Sequence, residues 1–384
     1  EKIDIGGISL IRAAAKNYQD VVIVASRNQY GDLLDLLKAK NGTTDLEDRR
    51  RFAMQAFAVS SHYDTAIFNY FNQSYATPYF KESILAGRTL RYGENPHQKG
   101  VFYGNLDEMF EQLNGKELSY NNLVDVDGAI SLIDEFDETA FAIIKHTNAC
   151  GVALGKTVAE AYQRAFAADT VSAFGGVLAT NRTIDEDAAN AMNSLFFEIL
   201  VAPDYTPEAL EILKSKKNRM LLKRKPVALS KKQFKTLLNG VIEQDKDLVT
   251  ETAADLKTVT QRQPTEAEVR ALLFASKVCK HTKSNTIVLS NDNQLFASGV
   301  GQTSRVDALK QAIEKAKAFG FDLRNAVMAS DAFFPFPDCV EIAYQVGVRA
   351  VIQPGGSIKD ADSIAFCDQH AMAMVFTGIR HFKH

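Results

Sequence analysis

Lys145 and His146 are the residues of this 384-residue chain whose types and spacing best suit chemistry, a base directly beside a cation. The apolar run before them, 141–144 (FAII), reads as a short buried strand, and Thr147, Asn148 and Gly151 supply turn chemistry after them. Neighbours on a strand point to opposite faces, so both side chains reach one pocket only where the strand has broken. Ligands in α/β sheets gather at the carboxyl ends of strands, which makes this break a candidate reaction site. A surface lysine beside a hydrogen-bonded histidine accounts for the same residues. Cys150 adds a thiol near His146, the pattern of a cysteine hydrolase, although a small buried thiol in a turn fits it better.

Other segments offer binding rather than chemistry. Pro354-Gly355-Gly356-Ser357 follows a buried run and precedes a helix, so its N–H groups could face a carboxylate or phosphate. Gly299-x-Gly301-Gln-x-Ser304-Arg305 leads into a helix in the same way, yet neither segment is a Walker loop or a dinucleotide fingerprint. The loop 331–338 (DAFFPFPD) reads as a rigid core loop or as an aromatic slot for a flat heterocycle. The chain ends RHFKH; such tails are usually mobile, but a strand ending a few residues earlier can tie this one down. Seven histidines form no HExxH, and HxE with PCxxC is absent, which argues against a zinc protease or zinc deaminase.

Alternating helix and strand signals must position these groups. Residues 8–16 and 31–39 read as helices around a strand at 21–25, and Asp45 caps a long helix bearing Phe52, Ala56 and Val59 on one face. A turn at Ser119–Asn122 opening a helix toward Phe136, a helix at 158–168, a Gly-Gly bend, strand and helix start capped near Asp185 within 172–185, and a strand at 195–203 follow. Gln263-Pro264 opens a second α/β series: a helix at 266–278, strands at 286–290, 294–300, 326–330, 350–353 and 373–376, and helices between them. A hydrophobic fraction of 46% with 24% charged residues is ordinary for a soluble globular protein, and a net charge of −3 argues against a nucleic-acid footprint. Basic residues crowd 214–235, but Phe234 is the one aromatic among them, so a solvated face is the expectation. Four scattered cysteines suit a reducing cytoplasm, and no run is apolar enough to span a membrane. The opening EKIDIGG reads as the interior of a domain, so a preceding segment is expected.

IDIGG with RAAAKNY, LRYGENPHQ, IKHTNACG, SAFGG, GxGQxSR, DAFFPFPD, QPGGS and the RHFKH ending together resemble the AICAR transformylase/IMP cyclohydrolase family along the whole chain. The resemblance implies an α/β fold class: two zinc-free subdomains like cytidine deaminase, 73–262 and 263–384, form the transformylase. Residues 1–72 resemble the C-terminal part of a methylglyoxal-synthase-like cyclohydrolase domain, retaining Asp4 and Lys16 of its functional residues, so formyl transfer without cyclisation is expected. The implied reaction moves a formyl group from 10-formyltetrahydrofolate to the 5-amino group of AICAR. Lys145, His146 and His384 are its implied catalytic residues: His146 as base or shuttle, Lys145 as oxyanion stabiliser or proton donor to the folate nitrogen. Arg91, Tyr92, Asn122, Gly175, Glu198, Asn285, Arg305, Phe333 and Arg380 match the family's AICAR contacts, Glu198 standing where some members have Asp. Val306, Phe336 and Ser357 match folate contacts; Cys339 stands where some members have Asn, so no contact is carried over there. An intertwined homodimer with shared active sites is implied, with no catalytic metal and nothing said of a monovalent cation. A nucleotide-binding protein of the deaminase type without transferase chemistry is the alternative.

Overall fold

The structure, a computed structural model, describes residues 2–384, which fall into two units. The first runs to Thr89 and includes 101–105 and 234–242. Its helices are α1 (Gly6–Lys16), α2 (Tyr30–Ala39) and α3 (Leu46–Tyr75). Asp45 caps α3 in a reciprocal box with Asp48, as its position before the apolar face predicts. Phe52, Ala53 and Ala56 are buried along α3, and Ala15 of α1 joins the two alanines in a small core. The strand expected at 21–25 does not form: Ile23 and Ala25 pack on this core, and the segment joins no sheet among the described residues. Strand propensity without a neighbouring edge makes no ladder. Strands β1 (Gly87–Thr89) and β2 (Val101–Tyr103) form an antiparallel pair in the same unit.

The second unit contains two sheets built on one plan. Its first series is a single turn α4 (Leu106–Met109), β3 (Phe110–Asn114), α5 (Tyr120–Ile133), β4 (Ala140–Lys145) and β5 (Asn148–Leu154). It continues with α6 (Val158–Ala168), β6 (Val177–Thr180), α7 (Glu186–Met192), β7 (Ile199–Ala202), α8 (Pro207–Lys214) and β8 (Met220–Arg224). A hairpin of β9 (Lys232–Leu237) and β10 (Gly240–Asp245), most of which belongs to the first unit, stands in the chain before the second series. That series is β11 (Lys257–Thr258), α9 (Glu266–Lys280), β12 (Ile287–Ser290), β13 (Leu295–Gly299) and α10 (Arg305–Ala318). It ends with β14 (Val327–Ser330), α11 (Asp338–Gln345), β15 (Ala350–Gln353), α12 (Asp360–Gln369) and β16 (Ala373–Phe376).

The strand orders are β3-β8-β7-β6-β4-β5 and β11-β16-β15-β14-β12-β13, so each strand of one sheet has a counterpart in the other. Parallel and antiparallel pairings repeat as well: β6-β7-β8 and β14-β15-β16 run parallel, while the flanking pairs are antiparallel. The duplication is invisible as sequence identity because a fold needs the period of burial, not particular residues. The two edges β5 and β13 meet through an antiparallel bridge at Ala153 and Gln294.

Strand β4 shows how the layers are filled. Ala140, Ala142 and Ile144 face a core shared by both sheets with α5 and α9, whereas Phe141 and Ile143 face the α6–α7 layer. Burying each of these large side chains contributes roughly 1.5–3 kcal/mol. Glycine is required at Gly151 of β5, where a Cβ would lie 2.0 Å from the Ala165 carbonyl oxygen. The run 195–203 contributes less strand than its apolarity suggests, because pairing begins only at Ile199, after Glu198. In the basic stretch Arg219 is buried over Phe197, Lys223 pairs with Asp204 and Arg224 with Asp134, while Lys214, Lys216, Lys217, Lys225, Lys231, Lys232 and Lys235 are exposed, as a solvated face requires.

At the base of α5, Glu135 accepts from Lys280 and His281 at 2.7 Å each and from Thr250 at 2.5 Å, while Lys277 donates to its carbonyl. This buried cluster ties the first series to α9 of the second.

Candidate active site

The two residues with which the sequence is best endowed for chemistry sit where β4 turns into β5. Lys145 and Asn148 are opposed in the ladder, leaving His146 and Thr147 as a two-residue hairpin loop. Both have positive φ, 50° and 64°, the demand of a type I′ turn normally met by Asn-Gly. Cys150 and Gly151 therefore lie on β5, not in the turn as expected. Burial pushes the Cys150 thiol up to about 12, which removes it as a nucleophile at neutral pH.

Lys145 closes β4 on the face of Phe141 and Ile143, and its Nζ donates to the Phe174 carbonyl at 2.7 Å. Gly175, at φ 69°, follows directly; a Cβ there would approach Nζ to 3.2 Å, so its absence leaves room above the ammonium. His146 is exposed, and its imidazole makes no hydrogen bond among the described residues. Asn122 serves twice: its Oδ1 completes the capping box of α5, and its Nδ2 donates to Glu198 at 2.8 Å. Lys145, His146, Asn122, Gly175 and Glu198 thus come together at one end of the first sheet. That end is the carboxyl end of β4 but the amino end of β6 and β7, because β4 runs antiparallel to β6.

In the second sheet Arg305, Asp331 and Ser357 follow the carboxyl ends of β13, β14 and β15, whereas Asn285 precedes β12. Arg305 opens α10 and turns inward, donating to Ser330 at 2.9 Å, to Asp331 and, through Nη2, to Asn285 at 3.0 Å. Asn285 in turn donates to the Gln302 carbonyl at 3.0 Å. Phe334 is fully buried and anchors the 331–338 loop, leaving Phe333 and Phe336 exposed, so this loop is both core and aromatic rim. Val306 lies in the first turn of α10, and Ser357 follows β15. The N–H groups of Gly356 and Ser357 already donate to Asp360, at 2.7 and 3.0 Å, so this segment is a closed turn rather than an open anion cradle.

One link beside the turn joins the two halves, and two more fasten the C-terminal segment within the second half. Asn148 Nδ2 donates to the His146 carbonyl at 2.8 Å, and its Oδ1 accepts from the Lys283 N–H at 2.9 Å. Ser284 exchanges hydrogen bonds with Lys383, 2.9 Å to its carbonyl and 3.0 Å from its N–H to the serine Oγ. The His381 N–H donates to the Asp331 carbonyl at 3.0 Å. The terminal segment carrying Arg380 and His384 is therefore tied down.

His381 is the main fastener. Its ring nitrogens meet Asp247 at 2.6 Å and Glu251 at 2.8 Å. Burial opposes its charge, yet the two carboxylates outweigh burial and raise its pKa. A raised pKa contributes stability that is complete below about 6.5 and fades as pH rises through the folded value. The gap in thermal midpoint between the unaltered protein and His381→Gln is expected to narrow from pH 6 to pH 9; a gap that widens contradicts this latch.

Arg91 and Tyr92 pair with each other, Nη2 to Oη at 2.9 Å, on a loop tied to α5 by Asn121 through the Glu94 carbonyl. Neither is hydrogen-bonded to Lys145 or His146 among the described residues. In the first unit Asp4 accepts from the N–H groups of Gly7 and Ile8, while Lys16 ends α1; about 15 Å of helix separates them. The sequence reading passed over Asp125 and Ser284. Asp125 was findable, since it stands three residues after Asn122 on one helix face.

No helix among the described residues is long and apolar enough to cross a membrane, and no cluster there could hold a metal ion. Residues 14–315 match the family model described as the AICARFT/IMPCHase bienzyme. The chain is 65% identical to the bifunctional purine biosynthesis protein PurH of Bacteroides thetaiotaomicron over all of its own length and 76% of that relative's. It is 47% identical to the proteins of the same name from Chlorobium phaeobacteroides and Aquifex aeolicus, covering 76% and 77% of them. With the match spanning well over half the chain, the chain belongs to the AICARFT/IMPCHase bienzyme family.

Proposed function

We propose that this chain transfers a formyl group from 10-formyltetrahydrofolate to the 5-amino group of AICAR in purine nucleotide synthesis. The observation that carries this reading is that Asn148 bridges the His146 carbonyl to the Lys283 N–H, next to Ser284, which holds the C-terminal segment at Lys383. His146 takes the amine proton as the new C–N bond forms, while the folate nitrogen regains a proton as its bond to the formyl carbon breaks. Lys145 supplies positive charge to the formyl oxygen or delivers that second proton, and His384 assists the pair.

Arg91, Tyr92, Asn122, Gly175, Glu198, Asn285, Arg305, Phe333 and Arg380 hold AICAR in this reading. Val306, Phe336 and Ser357 line the folate side. Residues 73–262 and 263–384 are the two transformylase subdomains, a division supported by the first six-stranded sheet lying within 73–262 and five strands of the second within 263–384, its edge strand β11 standing just before the boundary. Residues 1–72 belong to the cyclohydrolase part, with Asp4 and Lys16 serving the family's second activity, cyclisation to IMP. The chain acts as a homodimer, supported by the exposed Val171, Phe174 and Phe196 beside Lys145 and Gly175. Cytoplasmic residence fits its four free cysteines.

An absorbance assay of tetrahydrofolate release tests this reading. Release is expected only when AICAR and 10-formyltetrahydrofolate are both present; no AICAR-dependent release overturns it.

A further inference from the structure

The turn that carries His146 is held in a backbone conformation that its own residues disfavour. A left-handed backbone costs a non-glycine residue roughly 1–2 kcal/mol, and Thr147 is β-branched as well. Such conformations persist only where the surroundings over-determine them. The duplicated fold supplies an internal comparison. The β12–β13 hairpin, counterpart of β4–β5, turns through residues 291–294 with no positive φ among them. The strained turn is confined to the copy that bears the histidine.

One contact from outside the hairpin reaches the strained peptide. Asp125 Oδ1 accepts from the Thr147 N–H at 2.7 Å. One helical turn on, Gly128 faces the Thr147 backbone, and a Cβ there would already lie 3.5 Å from its carbonyl oxygen. The second helix lacks such a group: Asp125 is the sixth residue after the cap Ser119, and the sixth after the matching cap Thr265 is Ala271. The aspartate is thus present only where the strained turn is.

We infer that Asp125 is a positioning residue, whose carboxylate holds the His146–Thr147 turn left-handed and so aims the imidazole at the substrate. This rests on the formyl-transfer reading above. Asp125 is half-buried, and burial raises its carboxyl pKa against the Thr147 N–H and the charges of His146 and Lys145, with Glu198 adding to the rise. A carboxylate kept at that cost with its oxygen on one backbone N–H is consistent with a role beyond solubility.

Asp125→Ala is expected to lower kcat about 10- to 100-fold with KM for AICAR changed less than about threefold, the mark of a misaimed group rather than a lost binding contact. Asp125→Asn, whose amide oxygen can still accept the hydrogen bond, is expected to keep most of kcat. Thr147→Gly added to Asp125→Ala is expected to restore kcat several-fold, because glycine adopts this φ without an anchor. Unchanged kcat in Asp125→Ala, or no recovery in the double variant, overturns the inference. Loss of activity in the unaltered protein instead defeats the formyl-transfer reading. A crystal structure of Asp125→Ala decides the turn independently of activity: both φ values remaining positive overturns the inference, and Thr147 leaving the left-handed region supports it.

Discussion

His146→Ala is expected to lower kcat for formyl transfer by about 10²- to 10⁴-fold, the usual contribution of a positioned general base. Its imidazole is exposed and makes no hydrogen bond among the described residues, so truncation removes no structural contact and leaves the fold intact. The effect belongs in kcat rather than in KM, because proton transfer strengthens only as the C–N bond forms. Lys145→Ala is expected to fall as far, with one difference. Its ammonium already donates to the Phe174 carbonyl beside Gly175, so its loss also loosens the segment that follows. Lys145→Arg keeps the charge but brings a broader fork to a space set by Gly175, and is expected to recover little. Steady-state kinetics with circular dichroism as a control check all three. Variants that retain near-normal kcat would place the chemistry elsewhere.

The largest expected effect on stability lies away from the site, at Glu135. Its carboxylate receives Lys280, whose side chain is only 3% exposed, together with His281 and Thr250. Glu135→Ala leaves that buried ammonium without its counter-charge, which typically costs about 3–5 kcal/mol. The pH dependence follows from the same contacts. Burial works against the Glu135 charge, but hydrogen bonds from His281, Lys280 and Thr250 overcome it and hold the carboxyl at about 2, below its ordinary 4.5. A lowered carboxylate pKa stabilises the folded state above about 4.5, and that contribution is lost as pH falls toward 2. Denaturant midpoints of the unaltered protein and Glu135→Gln are therefore expected to differ most near neutrality and to converge on acidification. Equal midpoints at pH 7 would show that the cluster contributes no net stability.

Much of the fold was legible because burial has a period. The helices capped at Asp45 and Asp185, the helix from Glu266 and the strands of the second series lie close to where capping residues and apolar runs place them. The segment 21–25 was misread because strand formation needs a partner edge, and no local pattern reveals one. Cys150 and Gly151 were read as turn residues, yet a two-residue loop lets pairing resume at Asn148.

By itself the sequence determined the identity of the chemical groups: an ammonium and an imidazole side by side, and order-specific motifs that mark the family. Tertiary structure alone decided how those groups meet. The antiparallel junction of β5 with β13 brings the carboxyl end of β4 to the segment before β12, so His146 and Lys283, distant in sequence, are bridged by Asn148. It also decided that Asp125 grips the histidine turn while its counterpart Ala271 is buried in the shared core. Residue type is written in the chain, but which distant surfaces touch depends on how whole sheets pack, and hydrogen bonds between such surfaces leave no local trace.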